Sequence, residues 1–86
     1  KNIMNDTLGN YLYYIYSQKH YDVSFDTIFW ASGFPELSIV VSTPSFKKIR
    51  RVLTKEDFEI NILGDDWLLL QTLKSMVEEL EDYERS

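Results

Sequence analysis

The chain contains no cysteine, which excludes disulfides and thiolate-bound metals and leaves the fold to its own core. Three glycines and two prolines are few, and neither a Walker loop nor a G-x-G-x-x-G phosphate cradle occurs. There is no G-x-S-x-G elbow for a nucleophile and no EF-hand spacing for calcium. One histidine, His20, is too little for a base–orienter pair or a histidine metal site. No apolar run approaches the ~20 residues of a membrane span, and Lys1 to Leu8 lacks the apolar stretch of a signal peptide. A soluble, cytoplasmic protein without cofactor, metal or membrane contact is the expectation. The chain does not open on methionine, which points to processing or to a longer parent.

What is present suits a globular fold. Hydrophobic residues make up 44% of the 86 and aromatics 15%, enough to rule against intrinsic disorder and to fill one small core. A single domain over residues 1–86 is expected.

The periodicities divide the chain into six elements. Asp6 or Thr7 caps a helix over about 5–19, with Met4, Leu8, Tyr11, Leu12 and Ile15 on one face. From Tyr21 to Ser32, Val23, Phe25, Thr27, Phe29 and Ala31 alternate with the residues between them, the pattern of a strand. A short helix capped by Ser24 and stopped at Gly33 is the competing assignment. Gly33-Phe34-Pro35-Glu36 reads as a turn and Leu37–Ser42 as a second strand. Thr43-Pro44 resembles a helix start, threonine as cap and proline at the first position, so a helix is expected over about 44–53 with Phe46, Ile49, Arg50 and Leu53 on one side. Phe58, Ile60 and Ile62 alternate as a third strand, and Gly64 precedes a helix of about 65–85. The predicted order is αββαβα, an α+β domain with a three-stranded mixed sheet in which strands two and three run parallel.

Candidate chemistry is thin. Asp26, Glu36 and Asp57 lie near strand ends, but nothing in their spacing sets the separation or the pKa difference that hydrolysis needs. Ser42-Thr43-Pro44-Ser45 before a helix start offers amides to an anion but has no glycine-rich approach. No enzyme activity is expected.

Charge is more informative. Asp65, Asp66, Glu78, Glu79, Glu81, Asp82 and Glu84 stand against Lys74 and Arg85, so residues 65–86 hold the whole net charge of −5. Five of these acids crowd the helix C-terminus, where the macrodipole disfavours them by about 0.3–1 kcal/mol each. Helix propensity does not explain them; a basic partner is one explanation, with solubility and a fraying helix end as the others. Glu78, Glu79, Glu81, Asp82 and Glu84 are therefore the first candidate contact residues, with Tyr13, Tyr14 and Tyr16 as aromatic anchors from a helix too rich in tyrosine to bury them all. Leu69, Leu73, Met76, Leu80 and Tyr83 form a stripe that fits packing within the fold, with a homodimer through a seam with a second copy as the alternative.

The leading expectation is a small non-enzymatic inhibitor or regulator of a basic, nucleic-acid-handling protein, in the manner of an immunity protein, an antitoxin or a phage anti-defence protein. The alternative is a nucleic-acid-binding regulator using Lys47, Lys48, Arg50, Arg51 and Lys55 on a basic helix, or an accessory domain of a longer protein. Nucleic acid ranks second because the protein is acidic and the bases are few.

Overall fold

Thr7 opens the first helix, its hydroxyl accepting the Asn10 N–H at 3.1 Å, in a computed structural model that describes residues 7–29 and 35–85. Helix α1 spans Leu8–Lys19 and ends at His20, which takes the left-handed conformation (φ 60°) while the Tyr21 N–H returns to the Ile15 carbonyl at 3.1 Å. His20 thus terminates a helix, a position where histidine is several-fold enriched among residues at positive φ.

Three strands follow, β1 (Asp22–Phe29), β2 (Pro35–Ser42) and β3 (Lys48–Leu53), then α2 (Lys55–Ile60) and α3 (Asp65–Arg85). The sheet has order β1-β2-β3. β1 pairs antiparallel with β2 from Asp22↔Ser42 to Phe29↔Pro35, and β2 with β3 from Leu37↔Leu53 to Ser42↔Lys48. The α+β class and the three-stranded sheet are as expected, and the strand assignment from Asp22 prevails over the short helix. Asp6, Met4 and the Gly33-Phe34 half of the expected turn lie outside the described residues, as do Trp30, Ala31 and Ser32.

The middle of the chain differs from expectation. Among the described residues the order is αβββαα, both strand pairings are antiparallel, and no parallel crossover occurs. Residues 44–53 do not form a helix. The Thr43 hydroxyl, expected to cap one, instead accepts the Lys47 N–H at 3.2 Å. The Thr43 N–H donates to the Lys47 carbonyl at 2.9 Å, and the Phe46 N–H to the Thr43 carbonyl at 2.9 Å. Phe46 sits at φ 70°, off any helical path. Threonine and proline open this turn as readily as a helix, and the outcome is decided by the unpaired edge that β2 offers.

Residues 58–62 do not form a strand either. Thr54 and Asp57 make a capping box, the Thr54 N–H donating to Asp57 Oδ2 at 2.7 Å and the Asp57 N–H to Thr54 Oγ1 at 3.3 Å. That reciprocal pair satisfies two otherwise orphan amides and starts α2.

The helices cover one face of the sheet. The registers put Val23, Phe25 and Thr27 of β1, Leu37, Ile39 and Val41 of β2, and Ile49, Arg51 and Leu53 of β3 on that face. Ile39, Val41 and Leu53 are buried with Tyr11, Ile15 and Tyr21, and with Leu70, Leu73, Met76, Val77 and Leu80 of α3. The other face carries Asp22, Ser24 and Asp26 on β1 and Lys48, Arg50 and Val52 on β3.

Candidate protein-binding surface

The C-terminal acids are distributed around α3 rather than gathered on one face. Glu79 pairs with Arg51 of β3, and Glu81 with Lys19 of α1. Asp82 meets Arg85 one turn on, and Glu84 accepts from the Ser45 hydroxyl at 3.2 Å. Glu78 is exposed beside a groove of about 450 Å³ between α1 and α3, lined by Tyr11, Tyr14, Lys19, Lys74 and Glu81 among others. Several of the acids that looked reserved for a partner therefore hold the helix to its own fold. Most of the apolar stripe packs within the fold: Leu73, Met76 and Leu80 are fully buried in the core and Leu69 partly, while Tyr83 is exposed.

Within the groove, Lys74 Nζ lies 5.8 Å from the Tyr11 ring centre and Lys19 Nζ 5.9 Å from that of Tyr14. Burial pushes the Tyr11 phenol up to about 12, helped by the nearby Glu81, Tyr14 and Glu78. The hydrogen bond to Glu81 raises Lys19, and burial, with Glu81 next, raises Tyr21. These groups keep their protons near neutrality. Of the three candidate tyrosines, Tyr14 belongs to the groove, its ring 6.1 Å from that of Tyr11. Tyr13 and Tyr16 point to solvent.

The five bases fall into separate places because β3 replaces the expected helix. Lys48 and Arg50 project from the outer face of the sheet, while Arg51 projects inward to Glu79. Lys47 lies on the turn, its Nζ 5.6 Å from the Tyr83 ring centre. Lys55 begins α2 and stands 3.9 Å from Glu59. No single basic helix exists for a nucleic acid to lie along. Among the described residues, no group of three metal-ligating side chains forms and no helix is long and apolar enough to cross a membrane.

Four large apolar side chains that are exposed lie close together in sequence at the α2–α3 corner, where periodicity pointed to a third strand over Phe58–Ile62. Ile60 is 78% exposed, Ile62 91%, Leu63 60% and Trp67 43%. With Leu53 and Leu68 they line a cavity of about 350 Å³. The corner is held open by its own backbone. The Asn61 side chain accepts the Leu63 N–H at 3.3 Å and donates to the Gly64 carbonyl at 2.6 Å, an Asx turn. Gly64 takes φ 101°, a conformation suited to glycine, and its carbonyl accepts the Leu68 N–H at 3.2 Å as α3 begins.

Acids bracket this apolar centre. Asp57 lines the cavity, and Asp65 and Asp66 precede Trp67 on the first turn of α3, while Glu59 stands beside Lys55 on another side of α2. Part of their work is local, since acids in the first turn suit the helix dipole. Their combined effect is a hydrophobic patch containing a tryptophan, with carboxylates at its border. Such patches mark protein contacts more often than scattered single residues do. The signal in the sequence was Thr54-Lys55-Glu56-Asp57, a capping-box spacing that makes Phe58–Ile62 a helix end and a loop.

A search of family models, of curated proteins and of solved structures finds no match to this chain.

Proposed function

We propose that this protein is a small, non-enzymatic binding protein that inhibits or regulates a partner by capturing a basic, amphipathic segment of it at the α2–α3 corner. The observation that carries this is the exposure of Ile60, Ile62, Leu63 and Trp67 around a loop ordered by Asn61 and Gly64, with Asp57 on the wall of the hollow and Asp65 and Asp66 beside Trp67. Apolar side chains in solvent contribute nothing to this fold, and a preordered loop loses little entropy when it binds. The acidic border selects a partner with lysine or arginine flanking its apolar residues and speeds the encounter. An acidic border of this kind is what an immunity protein, an antitoxin or a phage anti-defence protein would present to a nucleic-acid-handling target.

The test is titration of the whole protein with a fluorescent Lys/Leu amphipathic peptide and with its Glu/Leu counterpart. The basic peptide should bind, more weakly as salt rises, and the acidic one should not. The double change Ile62→Ser with Leu63→Ser should weaken binding at least about tenfold, corresponding to about 1.4 kcal/mol, without altering the thermal melt. Equal binding of the two peptides, or no effect of the double change, would reject the corner as the contact surface.

A further inference from the structure

At the opposite end of β3 stands a feature that complements the corner. Phe46 is 86% exposed at the tip of the β2–β3 hairpin and is held at φ 70°, a region that bulky side chains adopt only when the surroundings force it. Here they do. Thr43 and Lys47 close the turn through their backbones, the Thr43 hydroxyl holds the Lys47 N–H, and Ser45 is tied to both Thr43 (2.9 Å) and Glu84. Glycine at this position would relieve the strain, so an exposed phenylalanine there is costly to the isolated fold. Lys47 and Lys48 follow it directly and Arg50 lies two residues further along the strand. Lys48 and Arg50 make no ion pair among the described residues, while Arg51 and Glu79, and Arg85 and Asp82, neutralise each other.

We propose that the Phe46 tip of one copy of this chain enters the α2–α3 corner of a second copy. The tip is an aromatic knob followed by Lys47, Lys48 and Arg50, which outnumber the one acid hydrogen-bonded to the turn, Glu84; the corner is an apolar hollow of about 350 Å³ with Asp57, Asp65 and Asp66 at its border. The two lie at opposite ends of a six-residue strand, about 20 Å apart at roughly 3.3 Å per residue. They therefore cannot meet within one molecule. The contact is heterologous, each copy giving a tip and receiving one, so it propagates as a chain or closes as a ring. A symmetric corner-to-corner dimer is disfavoured because it brings Asp57, Asp65 and Asp66 of both copies together. One aromatic knob buries about 150–250 Å², so the association is weak and a stronger partner displaces it. The inference rests on the corner being a docking surface for basic, apolar groups, and it adds that the protein occludes its own surface when concentrated.

Sedimentation of the full chain between about 10 µM and about 1 mM, the range of a weak interface, should show a weight-average mass that rises beyond that of a dimer. Phe46→Gly should weaken association at least about tenfold while raising the melting temperature, because it removes the strain. The Ile62→Ser, Leu63→Ser variant should also be monomeric. An equimolar mixture of the two should form a dimer and stop there, one member supplying the tip and the other the corner. Wild-type protein that stays monomeric at about 1 mM, or a dimer unaffected by Phe46→Gly, would overturn the proposal. Phe46→Gly retains the corner, so its titration with the Lys/Leu peptide separates the two ideas. Peptide binding without self-association leaves the capture reading standing alone. Self-association through Phe46 without peptide binding leaves only the tip-to-corner contact.

Discussion

The acidic end of α3 and the α2–α3 corner exchanged roles between sequence and structure. By charge, Glu78 to Glu84 looked like a surface held out for a partner, yet Glu79 and Glu81 are ion-paired across to β3 and α1. By periodicity, Phe58 to Ile62 looked like a third strand, yet Ile60 and Ile62 stand in solvent. Residue type states what burial would cost or contribute. Which residues are buried depends on what the rest of the chain brings up to them.

The comparison is sharpest where two apolar positions of similar size are set side by side. Leu73 is fully buried beneath the sheet and Ile62 is 91% exposed. Leu73→Ala should cost about 2–5 kcal/mol in urea unfolding, a large part of the stability of a domain this size. Ile62→Ser should stay within about 0.5 kcal/mol. Similar costs at the two positions would mean that the corner is packed rather than open.

The next effect belongs to the α1–α3 groove. The neutral Tyr11 phenol is favoured in the fold, with its pKa pushed from 10.0 up to about 12. A folded-state pKa above the unfolded one contributes stability in full below pH 10, and that contribution is lost as pH rises from 10 to 12. Two pH units correspond to about 2.7 kcal/mol at most. Chemical denaturation from pH 9 to pH 12 should show that decline, and Tyr11→Phe should flatten it. An identical decline in the Tyr11→Phe protein would assign it to other groups.

The smallest effect separates the two regions by function. Glu79→Gln with Glu81→Gln removes two partly exposed ion pairs, each contributing up to about 1 kcal/mol and less in high salt. Lys/Leu peptide binding at the corner should change less than about threefold, or ~0.65 kcal/mol. A loss as large as that from Ile62→Ser with Leu63→Ser would move the binding surface to the acidic end.

Much of the architecture was legible in local patterns. Thr7 as cap, the alternation through β1, the apolar run of β2 and the stripe of α3 all appear near their expected bounds. The failure at 44–62 has two physical sources. Thr43-Pro44 suits a helix start and a turn equally, and Ile49 and Leu53 fit a helical spacing as well as they fit alternation with Arg51 between them. Thr54-x-x-Asp57 was a readable helix start, but the alternation of Phe58, Ile60 and Ile62 outweighed it. Once 48–53 is a strand, 55–60 has no sheet edge to join and the capping box decides.

The candidate site was less legible, for the same reason. Exposed hydrophobic residues look like core residues until their neighbours are known, and carboxylates look like surface charges until a cation is found against them. What the sequence alone determined was the composition of this protein: a cysteine-free α+β domain, helical at both ends, with its net charge in the last helix. Only the tertiary structure decided which carboxylates meet Arg51 and Lys19, and which apolar groups at the corner remain in water. Local propensity acts within a turn or two of the chain, whereas burial and ion pairing join residues that sequence distance keeps apart.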